Sequence, residues 1–344
     1  MAARAFRVTA ALVVCAVSAT AAPDAAAAQE TRSHLLIVSG IGGEKKYQDA
    51  FFDWGMRMAT AATTKYGVPA AAVTFLTEQP ERDASITKGR STREAVEQAF
   101  AAIGSRAGPN DLVFILLIGH GTFQNGESRF SLPGPDLSAV DFAKLVDGLG
   151  GRRIVLANVS SASGEFIKTV SAPNRIVITA TRSGMERDEA RFGRFFIDAF
   201  ADDGADTDKD GAVSMLEAFD YARRETARSY ETEKALMTEH AVFDDNGDGT
   251  GSAEAVAGKD GALARATFLG TAAVVAGAEA PAGASPALRA LYTAKRDIEK
   301  RIEALRALKD TMDPVRYEQD LEALLVDLAL KNQEIRRMEG GGSP

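Results

Sequence analysis

The stretch "DLVFILLIGHGTF", residues 111–123, decides the fold. Leu112 to Ile118 are apolar without a break, and the run then stops at His120 between two glycines. A strand with one face in water alternates apolar and polar residues. One with no alternation has both faces covered, as in a parallel sheet between two layers of helices. The carboxyl end of such a strand is where open parallel sheets gather ligands and catalytic groups, and His120 lies there.

The flanking sequence repeats the pattern. "HLLIVSG" predicts a strand, "KYQDAFFDWGMRMATAATTKYG" a helix closed by Gly67, and "AVTFLTE" a second strand. "STREAVEQAFAAIGSRAG" predicts a helix capped by Ser91 or Thr92, with Glu94 three residues after Ser91 as a capping box. "DLSAVDFAKLVDGLGG" is a helix, while "RRIVLANVS" and "NRIVITATRSG" are strands. Alternating strands and helices define an α/β domain over residues 33–275, with a mostly parallel sheet and helices on both faces.

The ends are of another kind. Arg4 and Arg7 precede a short apolar run, and Ala26 and Ala28 offer small residues for cleavage, so residues 1–28 are expected to be a secretory signal peptide. Export, to a periplasm or beyond, follows from that expectation, with no membrane span left after cleavage. The single cysteine, Cys15, lies in this segment, so the mature chain has no disulfide, thiol nucleophile or thiolate metal site. A chain of 344 residues, 45% of them hydrophobic, has core enough to do without disulfides.

Residues 276–286 mix Gly, Ala and Pro and are expected to form a linker. Beyond it, Leu288, Leu291, Ile298, Ile302, Leu305 and Leu308 fall at helical spacing. Tyr317, Leu321, Leu324, Leu328, Ile335 and Met338 repeat that spacing after Asp313 and Pro314. Residues 287–339 are therefore expected to form an antiparallel helical hairpin, a coiled-coil-like surface for a partner helix or a second copy.

Net charge is −8, from 40 basic and 48 acidic residues. An acidic chain is a poor partner for nucleic acid, whose phosphates demand Lys and Arg.

The next strand after His120 ends in "LANVSSASGEF", which brings Ser160 or Ser161 to the same crevice if the two strands are neighbours. A base beside a hydroxyl, with turn amides nearby to receive an oxyanion, is the minimal apparatus for acyl transfer. The "IGHG" strand end, the following strand with its Ser-Gly turn, and "IVITATRSGMERDEARFG" together resemble the caspase-hemoglobinase fold. The likeness is strongest to legumain-like peptidases and their bacterial relatives, over about residues 33–230.

That resemblance implies His120 as general base, Ser163-Gly164 as the Ser-Gly of the nucleophile turn, and Ser161 where the family has its cysteine. A serine needs a base held by a third group, whereas cysteine is already partly thiolate. The expectation is a scaffold that binds a peptide or protein ligand with hydrolysis lost. A serine endopeptidase using Ser161 and His120 is the alternative. The Gly-x-Ser-x-Gly elbow of α/β-hydrolases is absent. The family's asparagine-reading arginine has no counterpart in "SGIGGEKKYQD", while Arg182 and Arg187 could line the crevice or pair with Glu186 and Asp188.

"DTDKDGAVSMLE" matches the calcium loop of an EF-hand. Asp206, Asp208 and Asp210 take places one, three and five, Gly211 the sharp turn, Ala212 a carbonyl ligand, Ser214 place nine and Glu217 place twelve. Calcium is the cofactor expected. "DDNGDGTGS", with Asp244, Asn246 and Asp248, is a partial copy that fits either a looser site or a Gly-Asp turn.

Overall fold

The computed structural model describes residues 32–202, 204–208, 212–270, 285–307 and 312–340. The expected signal peptide, Asp210 and Gly211 of the calcium loop, and residues 276–284 of the linker lie outside the described residues.

Ten strands and nine helices are described. The strands are β1 Ser33–Ser39, β2 Val73–Thr77, β3 Thr87–Arg90, β4 Leu112–Ile118, β5 Gly121–Gln124, β6 Glu127–Phe130, β7 Leu137–Ser138, β8 Arg153–Asn158, β9 Arg175–Thr179 and β10 Val242–Asp244. The helices are α1 Lys45–Thr64, α2 Arg93–Arg106, α3 Ala139–Asp147, α4 Glu165–Val170, α5 Phe192–Ala201, α6 Met215–Glu233, α7 Ala262–Arg265, α8 Pro286–Ala307 and α9 Pro314–Gly340.

The main sheet has the order β10-β9-β8-β4-β1-β2-β3. Every pairing is parallel except β10 against β9. The apolar run of β4 divides by parity. Leu112, Phe114, Leu116 and Ile118 join a core built with α1, α5 and α6. Val113, Ile115 and Leu117 join a second core with α2, α3 and α4 on the other face. Strand β1 divides likewise, Leu35 and Ile37 to the first core and Leu36 and Val38 to the second. All these side chains are buried, which stabilises the fold by about 1.5–3 kcal/mol for each large one.

Three local features depart from the sequence expectation. The antiparallel sheet β5-β6-β7 grows out of the His120 segment, and its first turn, Asn125-Gly126, has both residues at positive φ, 54° and 81°. Helix α2 is capped by Thr92, which accepts the Ala95 amide, and no box closes on Glu94. Ser91 instead donates to the Ser39 carbonyl at 2.6 Å and ties the helix start to the end of β1. Capping boxes occur at Ser138 with Asp141 and at Ser214 with Glu217.

Helices α8 and α9 form the expected hairpin around Ile298, Ile302, Leu305, Leu324 and Leu328. Val315, Val326, Leu330 and Met338 of α9 stay exposed. Among the described residues no helix is long and apolar enough to cross a membrane.

Candidate functional site

From β1 the chain moves outward through β2 and β3, then returns to β4 on the other side of β1 and moves the opposite way through β8 and β9. The reversal opens a crevice at the carboxyl ends of β1 and β4. Gly40 to Glu44, His120, the turn Val159–Gly164 and the loop 180–191 all leave the sheet at that end.

His120 is half-buried and packed edge-on by two rings of α1. The Tyr47 centroid lies 4.6 Å away at 86°, and the Phe51 centroid 5.0 Å away at 69°. Burial pulls its pKa below the usual histidine value, which outweighs a hydrogen bond to the Gly42 carbonyl and the charges of Glu189 and Glu44, while Lys46 pulls the same way as burial. Burial thus favours the neutral imidazole, the form able to accept a proton. Its glycine neighbours are required by contact. A Cβ on Gly121 would stand 2.1 Å from the Ser161 carbonyl oxygen, and one on Gly119 would stand 3.0 Å from the Phe130 ring.

The serines behind it have distinct places. Ser160 is fully buried and locked to Asn158, whose Oδ1 accepts the Ser160 hydroxyl at 2.7 Å and its amide at 3.1 Å. Ser161 faces the His-Gly pair, since its Oγ accepts the Gly121 amide at 3.4 Å and donates to the Gly121 carbonyl at 3.4 Å. The Ser160 hydroxyl also lies against Gly121, 2.9 Å from where a Cβ there would stand, but Ser161 is the one that hydrogen-bonds to that backbone. Both of its hydrogen bonds are long, and neither goes to the imidazole.

The rest of the turn is braced from outside. Ala162, at φ 52°, donates its amide to the Glu186 carbonyl at 2.7 Å, and its own carbonyl accepts the Ser128 hydroxyl. Thr181 Oγ1 lies 3.2 Å from the Ser163 hydroxyl and accepts the Gly164 amide at 3.1 Å. A Cβ on Gly164 would stand 2.2 Å from the Ser183 amide nitrogen, so only glycine allows this approach.

The two arginines considered from sequence are engaged locally. Arg182 pairs with Glu186 at 3.1 Å, and Arg187 donates to the Phe123 carbonyl at 3.2 Å. Glu186 also accepts from the His240 amide at 3.0 Å and faces His240 Nδ1 at 2.8 Å. Tyr47 donates its hydroxyl to Glu189 at 2.8 Å. Glu78, at the end of β2, accepts the Gly42 amide at 3.0 Å. Sequence reasoning passed over Glu78, Glu186 and Glu189 as site elements, because one acid among many in a charged loop carries no spacing signal.

The loop that matches the EF-hand pattern lies between α5 and α6. The carboxylates of Asp206, Asp208 and Glu217 converge, with one ligand atom from each within 4.8 Å of the others. Three hard oxygen donors at that separation suit a hard divalent cation. Ser214 caps α6 and gives its hydroxyl and amide to Glu217 Oε2 at 2.9 and 3.0 Å, while Ala212 is buried beside it. Glu217 Oε1 accepts the Thr207 amide and hydroxyl at 2.9 and 2.8 Å.

The partial copy folds as a turn. Asp244 is fully buried and its carboxylate accepts the amides of Gly247 and Gly249 at 2.9 and 2.6 Å. Ser171 adds a hydroxyl at 2.9 Å. Asp248 accepts the Thr250 amide at 2.7 Å. Their oxygens hold backbone.

Fold and site together define a three-layer α/β protein with a half-buried histidine and a serine turn at one crevice. No family model and no curated protein matches the chain. Among solved structures it is similar to the Drosophila initiator caspase Dronc, at a TM-score of 0.40 and 12% identity, over 72% of this chain and 94% of that chain.

Proposed function

We propose that the chain is an exported, calcium-binding protein of legumain-like design that holds a peptide or protein ligand in a disarmed peptidase crevice. The observation that carries this reading is the placement of Ser161. It stands where the sequence resemblance would put the nucleophile, and its hydroxyl is engaged by the Gly121 backbone at 3.4 Å on both sides rather than by the His120 ring. A hydroxyl with a pKa far above neutrality and no base in contact does not attack a carbonyl. The base half of the site is kept, with a half-buried imidazole at the strand end.

The alternative, a serine endopeptidase, draws support from one fact. The Gly121 amide points at Ser161 Oγ, where an oxyanion donor would be useful. Hydrolysis of a fluorogenic peptide library by wild type, Ser161→Ala and Ser161→Cys separates the two. Silence in wild type and activity in Ser161→Cys is expected. Wild-type turnover that Ser161→Ala abolishes would establish the serine enzyme.

Calcium belongs to this reading as a structural ion. Asp206, Asp208, Asp210 and Glu217 would supply carboxylates, Ala212 a carbonyl and Ser214 the ninth place, joining α5 to α6. Export predicts a mature chain beginning at Gln29, read by mass. The α8–α9 hairpin is assigned to a partner helix or second copy, through the exposed Val326 and Leu330.

A further inference from the structure

We infer that Tyr47, held by Glu189, is a positioning residue of His120, fixing the imidazole by edge-on packing of its ring. The inference rests on the disarmed-peptidase reading of the crevice and adds to it which residue fixes the base.

Among the described residues no carboxylate hydrogen-bonds to the His120 ring. What surrounds it is the Gly42 carbonyl, the edge-packed rings of Tyr47 and Phe51, and charge at a distance. Phe51 is buried and has no polar handle, so it sets a wall. Tyr47 has one. Its hydroxyl reaches across the crevice to Glu189 at 2.8 Å, joining residues 142 apart in sequence. The ring is thus pinned at its far end while its body packs on the imidazole.

The anchoring loop matters as much as the contact. Glu189 lies in the segment after β9 that also carries Glu186, whose carbonyl holds Ala162 beside Ser161, and Ser183, against which Gly164 packs. One loop therefore braces the nucleophile turn directly and the base through Tyr47. The relative placement of His120 and position 161 is set by a single segment, and a break at Tyr47 frees one half only.

The charges facing His120 come from two places. Glu44 precedes α1 and Lys46 lies in its first turn, while Glu189 comes from the loop after β9. Lys46 Nζ stands 4.4 Å over the Tyr47 ring and 3.7 Å from Glu44, so the cation is shared on the outer side of the clasp. Both glutamates act on His120 as charges through space, but only Glu189 is held in place by a hydrogen bond from Tyr47. Equal charges on the two glutamates should therefore respond differently to loss of the Tyr47 hydroxyl.

The test is the titration of His120 by NMR in the full chain, which has three histidines and so three ring signals to assign. Glu189→Gln removes a charge that favours the imidazolium, and the His120 midpoint should fall. Tyr47→Phe keeps the ring and releases Glu189, and should lower the midpoint likewise. The double variant should match Glu189→Gln, because once the charge is gone the Tyr47 hydroxyl has nothing left to hold in place. Glu44→Gln should lower the midpoint too, but additively with Tyr47→Phe. An unmoved midpoint in Tyr47→Phe, or additive shifts for Tyr47→Phe and Glu189→Gln, would overturn the assignment.

A second readout separates this inference from the reading beneath it. In Ser161→Cys the alkylation rate at position 161 is followed against pH by peptide mass, with and without Tyr47→Phe. A working pair gives a rate whose acid limb follows the His120 midpoint and moves with it. An inert thiol in Ser161→Cys alongside non-additive NMR shifts would leave Tyr47 as the positioning residue and remove the peptidase ancestry of the site.

Discussion

Ala162 donates its amide to the Glu186 carbonyl at 2.7 Å, so the loop after β9 grips the turn after β8 from outside the sheet. The Glu186 carboxylate meanwhile meets the His240 amide and ring and the Arg182 amide. Its side chain is 13% exposed, which makes those bonds costly to lose. Glu186→Ala should destabilise the protein by about 2 kcal/mol. Urea unfolding reads it, and an unshifted midpoint would show that the loop holds without the carboxylate.

Gly121→Ala tests the packing of the His-Gly pair. The new methyl would meet the Ser161 carbonyl oxygen at 2.1 Å, and backbone must yield. A loss of about 2 kcal/mol is expected, in the range of overpacked cores. Calorimetry that finds the variant as stable as wild type would mean the serine turn can move away freely.

Asp111 offers a pH test far from the crevice. It is buried and accepts the Gly108 amide at 2.8 Å, the Arg32 amide at 3.1 Å and His34 Nε2 at 3.0 Å. Burial alone would raise its pKa, but the hydrogen bonds from Gly108, His34 and Arg32 prevail and hold it below the usual carboxylate value. A depressed folded-state pKa contributes stability above the unfolded value, and that contribution is lost as pH falls through the folded one. Below about pH 4, wild type should lose stability more steeply than Asp111→Asn, as unfolding midpoints across pH will reveal. Parallel slopes would contradict this account.

Calcium should raise the Tm, since an ion bound only by the folded chain stabilises it by mass action, about 2.7 kcal/mol at a hundredfold excess over Kd. Asp208→Asn should abolish the rise. A Tm indifferent to both calcium and chelator would remove the structural role proposed for Asp206 to Glu217.

Much of this architecture was legible in the sequence because it is written in long runs. The unbroken apolar run of β4 announces two covered faces, and the glycines around His120 announce a tight approach. The small sheet β5-β6-β7 has a hairpin signal in Asn125-Gly126, but its strands are only two to four residues long and carry no clear alternation. Strand β10 has three residues and pairs antiparallel, so no periodicity could reveal it. What distinguishes Ser160 from Ser161 is their hydrogen bonding to Asn158 and to Gly121, which spacing does not reveal. Glu186 is visible in the sequence only as a partner for Arg182, a pairing the structure keeps, whereas its grip on His240 and the part played by Glu189 depend on contacts between distant segments. The capping box expected at Ser91 failed because Ser91 is drawn to the Ser39 carbonyl, a contact between residues far apart in sequence.

The parity of β4, with odd and even residues feeding separate cores, bears on how such a chain can change over generations. Loss or gain of one residue inside β1, β4 or β8 would turn every later side chain of that strand to the wrong layer, wrecking both cores in one event. Length variation is thereby confined to the connections, and those at the carboxyl ends are the ones that build the crevice. A lineage carrying this sheet could therefore revise what it grips while its interior stayed closed to insertion.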